Sequence, residues 1–195
     1  FLYLNEEEAK TAAAGLAEQK IPVSVAKVNG KDMLVFFTSL YAMGVNALIV
    51  EMNGEKASMQ VGDIVKRKSP DDMPQGTVEN PSLHLTAIYL AQEMRRPAAE
   101  AEAEARAERI KELNEELTAD FRKGSYIFAI QKEEKGIPLV KMKDGQLFQP
   151  AFTDILEFQK FNRDNKLRPV VVEAEKVPTV LAAEAGGIIL NVLGV

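Results

Sequence analysis

The chain has 195 residues, with 24 basic and 29 acidic side chains for a net charge of −5, and it contains no cysteine. The lack of thiols excludes disulfides, thiolate nucleophiles and Cys-ligated zinc or iron–sulfur centres, and the acidic balance argues against a general binder of nucleic acid or anionic membrane, which needs a dominant positive field. No apolar run reaches the about 18 residues of a membrane span, so the expectation is a cytoplasmic protein that is not integral to a membrane, with a leader before Phe1 left open.

The first predicted element is a helix after Asn5, which can cap it. Glu6, Glu7 and Glu8 sit where negative charge meets a helix N-terminus favourably, and Glu8 completes a capping-box spacing. Ala9, Ala12, Ala13, Leu16 and Ala17 form its narrow apolar stripe, and Pro22 stops it from running on. Val23 to Val28 reads as a strand, Asn29-Gly30 as a tight hairpin turn, and Met33 to Phe37 as the return strand. Thr38 or Ser39 then caps a short helix ending near Gly44, Ala47 to Val50 forms a buried strand, and a turn at Asn53-Gly54 leads toward a last strand near Asp63 to Val65. Residues 66 to 81, with Pro70, Pro74 and Pro81, have the composition of a loop or linker that buries no core.

Beyond it the pattern is helical from Leu83 to Arg96, breaks at Pro97, and resumes from Ala98 to Lys123, closed by Gly124. Ala103, Ala107, Ile110, Leu113, Leu117 and Phe121 share one face, and Glu102 and Arg106 stand at the pairing distance of four residues. A second lobe opens with a strand from Tyr126 to Ile130 and another from Pro138 to Met142. Asp144-Gly145 turns the chain into Gln146 to Phe152, and Thr153 caps a helix carrying Ile155, Leu156 and Phe158. A strand at Val170 to Val172, a helix started by Pro178, a stop at Gly186-Gly187 and a last strand from Ile188 to Asn191 complete the chain.

The two ends read alike. Asn29-Gly30 and Asp144-Gly145 sit at matching offsets before Phe37-Thr38-Ser39 and Phe152-Thr153-Asp154, and Ala47 to Glu51 resembles Pro169 to Glu173. The expectation is an α+β protein of two similar α/β lobes with small mixed or antiparallel sheets, at 1–78 and 124–195, joined by a helical segment at 79–123.

Little in the inventory supports catalysis. His84 is the only histidine, so a histidine-based triad or a multi-histidine metal site is impossible within one chain. The phosphate-loop spacings are absent, and the acidic pairs Glu6-Glu7, Asp71-Asp72 and Glu133-Glu134 lack the alternating ladder of a calcium loop and read as solvated charge. Phe36, Phe37, Phe148, Phe152 and Phe158 follow strand and helix periodicity and read as core packing. Thr38, Ser39, Thr153 and Asp154 lie at expected strand-to-helix junctions, where they serve as helix caps or as contacts to a ligand, and Asn191 closes the last strand.

The order Asp144-Gly145, then Pro150-Ala151-Phe152-Thr153-Asp154, then Ala185-Gly186-Gly187-Ile188-Ile189-Leu190-Asn191 resembles the SseB family, named after the bacterial enhanced serine sensitivity protein. The resemblance covers residues 110 to 195 well and 1 to 66 faintly, and Val192 stands where the family usually has proline. It implies a small bacterial α/β domain without established catalytic residues. The expected function is therefore a non-enzymatic interaction or self-association module without cofactor or metal. Its partner surface is expected on the Ile110, Leu113, Leu117, Phe121 stripe. The alternative is a small-molecule sensor, for an amino acid, with its site between the lobes at Thr38, Ser39, Thr153 and Asp154.

Overall fold

Asn5 opens the first helix, its side chain accepting the Glu7 amide at 2.8 Å, with Glu6, Glu7 and Glu8 in the first turn. The computed structural model describes residues 1–193 apart from 20, 22, 70, 71, 98, 99, 134 and 135, so the expectations for Pro22, Pro70, Asp71, Ala98 and Glu134 lie outside the described residues. This helix, α1 (Glu6–Glu18), follows a two-residue strand β1 (Leu2–Tyr3) that sequence reading missed. Glu8 does not close a capping box; its Oε1 accepts the Asn53 amide at 3.2 Å, tying α1 to a turn of the first sheet.

The largest correction falls on residues 23 to 37. Val23 to Asn29 is irregular, Gly30–Asp32 makes a single 3-10 turn, and α2 spans Met33–Ala42. The run Met33 to Phe37 is apolar at every position, so periodicity could not separate a strand from a helix. Burial decides for the helix, because Phe37, Leu40 and Ala42 are buried, the first two in a core with Leu48, Val61 and Val65. Thr38 and Ser39 therefore sit inside α2 and cap nothing; Ser39 Oγ donates to the Phe36 carbonyl at 2.7 Å.

The end of α2 falls where expected. Gly44 takes a φ of +75°, its amide donates to Tyr41 and the Val45 amide to Leu40, the paired bonds of a Schellman stop. A Cβ at Gly44 would come within 2.6 Å of the Pro81 carbonyl oxygen, so this glycine also lets the next helix approach.

β2 (Ala47–Met52) pairs in parallel with β1 and antiparallel with β3 (Glu55–Gln60) across Asn53-Gly54, whose φ values of 52° and 79° fit a two-residue hairpin. Such a turn starts the return strand at once. The strand expected at Asp63 to Val65 is accordingly displaced to Glu55–Gln60, and Val61–Ile64 forms the short helix α3.

The linker is tied down where no core was expected. Val78 packs with Ile127, Ala129, Phe152 and Phe158, and buried Asn80 donates both amide hydrogens, to the carbonyls of Ser125 and Thr153, each at 2.8 Å. Gly124 makes room for it, since a Cβ there would collide with Asn80 Oδ1.

α4 (Pro81–Arg95) and α5 (Ala103–Lys123) lie against each other. Arg106 does not pair with Glu102; its guanidinium donates to the carbonyls of Glu93 and Met94 at 2.8 to 3.1 Å, satisfying the C-terminal end of α4.

The second sheet has the order β5-β6-β4-β7, with β8 alongside β6. Its strands are β4 (Ser125–Gln131), β5 (Val140–Lys141), β6 (Leu147–Phe152), β7 (Leu167–Glu173) and β8 (Ile188–Leu190). β5 turns into β6 through Asp144-Gly145, where Gly145 has a φ of +89° and Asp144 Oδ1 accepts the Gln146 amide. One face buries Tyr126, Phe128, Ala151 and Val172 with Leu83 of α4 and Val177 of α7 (Val177–Val180); the other packs Ile127, Ala129 and Phe152 on Phe158 of α6 (Ile155–Phe161). The protein is thus α+β with two small sheets. The hairpin, helix and strand order is complete at β5-β6-α6-β7, whereas the first lobe supplies only its helix and strand, α2 and β2. Among the described residues no helix is long and apolar enough to cross a membrane.

Candidate binding groove between the lobes

α6 covers the Phe152 side of the second sheet and stops short of β7. Pro169 and Val171 of β7, paired with Ala129 and Ile127 of β4, are left as the exposed part of that face. Over them stands α2, whose Leu34, Val35, Thr38 and Ala42 share one side at helical spacing, away from Phe37 and Leu40 in the core. The turn at Pro74 to Glu79 and the start of α6 at Asp154 to Leu156 close the ends. Together they bound a groove of about 650 Å³. Its walls are apolar and open: Leu34 is 67% exposed, Val35 62% and Val171 46%.

The polar positions singled out in the sequence meet here on two levels. Thr38, Ser39 and Asp154 line the groove, while Thr153 and Asn191 lie buried beneath it. The helix cap is Asp154, one residue later than expected: its Oδ1 accepts the amides of Leu156 at 2.9 Å and Glu157 at 3.0 Å. Thr153 Oγ1 donates to Asp154 Oδ2 at 2.9 Å and accepts from Asn191 Nδ2 at 2.9 Å, and Asn191 Oδ1 accepts the Thr153 amide at 3.1 Å. Asn191 reaches this position with a φ of +49°, available to asparagine at small cost. Thr153 and Asn191 are consequently engaged with one another, and they act as a brace under the groove.

His84, within the field of Asp154 and Glu157, is buried as well. Its Nδ1 has no hydrogen-bond partner among the described residues. Burial holds the imidazole below its ordinary pKa, and Lys160 acts in the same direction; the negative charges of Asp154 and Glu157 oppose them.

The stripe on α5 does not form a surface. Leu113 is 2% exposed, Leu117 and Phe121 pack on the core that contains Leu83 and Tyr126, and Ile110 is half-buried. Phe121 stacks on Tyr126 at 4.7 Å, and the Tyr126 hydroxyl donates to the Phe121 carbonyl at 2.8 Å. That face is used within the chain.

A second concavity, of about 830 Å³, lies between the end of β4 and the loop from α6 to β7, where Lys132 Nζ donates to Asn165 Oδ1 at 2.7 Å. Its rim is formed by loop side chains such as Glu133, Arg163, Asp164 and Lys166, which are solvated charges. The inter-lobe groove, with apolar walls on a braced floor, is the better ligand site. Sequence reading missed Leu34, Val35, Pro169 and Val171 as groove residues. The available signal was that a helical reading of Met33 to Ala42 places positions 34, 35, 38 and 42 on one side.

No protein-family model, curated protein or solved structure matches the chain.

Proposed function

We propose that the chain is a non-catalytic, cytoplasmic binding protein of the SseB-like class, whose inter-lobe groove receives an apolar segment of a partner protein. The observation that carries this reading is the exposure of Leu34 and Val35 beside Val171, large apolar side chains from two lobes facing one concave space. Burying such surface against a partner stabilises a complex by about 25 cal/mol per Å² before the costs of association. The partner surface first expected on α5 is spent on α4 and the core, which moves the interaction to this groove.

A free amino acid suits the groove less well. Its ammonium and carboxylate need several unengaged polar partners, whereas Asp154 already accepts three hydrogen bonds and Thr153 and Asn191 bond each other. The test is affinity purification of the wild type alongside Leu34→Asp, with Lys111→Glu on the outer face of α5 as the control. A partner recovered in stoichiometric amount with wild type and control, and reduced at least about tenfold by Leu34→Asp, supports the groove. Equal recovery with all three proteins rules it out.

A further inference from the structure

One segment has the sequence of a strand and lies outside both sheets. Val23, Ser24, Val25, Ala26, Lys27 and Val28 are rich in β-branched residues and place Val23 and Val25 on one face, yet these two valines are 46% and 47% exposed, and the segment is in no ladder. Residues of this type favour pleated, half-covered surfaces, and an unpaired strand leaves a row of main-chain donors and acceptors open to pairing. The first sheet presents the matching vacancy: β3 is its terminal strand, and all six of its residues are exposed.

We propose that the segment from Val23 to Lys27 adds antiparallel to the outer edge of β3 in a second copy of this chain, reciprocally, in a twofold dimer. The register follows from charge and apolar pattern. Opposing Lys27 to Glu55 places Val25 opposite Ala57 and Val23 opposite Met59. Met59 and Ala57 are already the ladder partners of Leu48 and Val50. The incoming valines therefore extend the apolar face on which α2 packs, and a one-residue slip would turn them to the opposite face. Pairing stops after Glu55 because Gly54 belongs to the hairpin turn.

The occupant is a second copy for a geometric reason. Lys27 lies 3.7 Å from Glu6 in the first turn of α1, and α1 follows β1, so within one chain the segment stands toward the edge of the sheet opposite β3. That ion pair is exposed on both sides and easily exchanged, so giving up Glu6 for the Glu55 of a second copy meets little resistance. Two identical strand additions close on themselves, the usual outcome for a symmetric dimer.

Because the chain has no cysteine, introduced thiols report without background. Val25→Cys and Ala57→Cys proteins, mixed and mildly oxidised, are expected to form a covalent heterodimer, since opposed strand residues come within disulfide reach. Val25→Cys mixed with Ser58→Cys is the register control, with at least about fivefold less cross-linking expected because Ser58 points to the other face. In sedimentation the wild type is expected at twice the chain mass and Val25→Pro at the single-chain mass. The proposal is overturned by a single-chain mass for the wild type, by equal cross-linking of Val25→Cys to the Ala57→Cys and Ser58→Cys proteins, or by a Val25→Cys/Ala57→Cys double variant that oxidises only within one chain.

Discussion

β4 and β2 are the central strands of their sheets, and they are built differently. Four consecutive residues of β4, Tyr126 to Ala129, are buried, because α4, α5 and α7 cover one face of the second sheet and α6 with Val78 covers the other. β2 buries Leu48 alone, since α2 covers one face of a three-stranded sheet and Ile49 on the other stays 41% exposed. The groove lies between them, so one wall is set in a two-sided core and the other rides on a one-sided one. On the proposed function, a floor set in the two-sided core stays in place while α2 adjusts to a partner.

The comparison can be broken most forcefully in the second lobe. Phe152 is packed between Phe158 and Phe161, with ring centroids at 5.6 and 5.3 Å, and Phe152→Ala is expected to destabilise the protein by about 3–5 kcal/mol in urea unfolding. Gly44→Ala attacks the joint between the lobes. It forces alanine into a positive φ and sets its Cβ against the Pro81 carbonyl, at an expected cost of about 1–3 kcal/mol. If Gly44→Ala proves harmless, α2 is not held against α4 as described.

A smaller effect comes from His84. Its folded pKa lies below the ordinary 6.5, so as pH falls the unfolded chain takes up the proton first. Stability is expected to decline from about pH 7 toward the folded pKa, with a slope of at most about 1.4 kcal/mol per pH unit, and to show no further loss from this group below that value. His84→Gln removes the titration. The check is the difference in slope between the two proteins over about pH 7 to 5.5, above the range in which most carboxylates titrate. An identical slope would contradict the burial of the His84 imidazole.

The same contrast explains what the sequence disclosed. In the second lobe local signals and tertiary packing agree: Asp144-Gly145 turns the chain, Val170 to Val172 lies within β7, and Phe158 is buried. Asp154 displaced Thr153 as cap by a single position, since both types cap helices and only the buried bond that Asn191 donates to Thr153 decides between them. In the first lobe Asn29-Gly30 carries the same turn signal as Asn53-Gly54, yet Asn29 keeps a φ of −82° and leads into a 3-10 turn. The packing of Phe37 and Leu40 overrode it. The groove was illegible for another reason: its residues come from α2, the linker, α6 and β7, and no local pattern reports that these meet.

Native-state hydrogen exchange across α2, β2, β4 and β6 tests the two-walled account most directly. Amides of α2 and β2 are expected to exchange through an opening of lower free energy than those of β4 and β6, so that the first lobe opens while the second stays protected. A single common free energy for all four elements would show one cooperative unit and contradict a groove with one firm and one compliant wall.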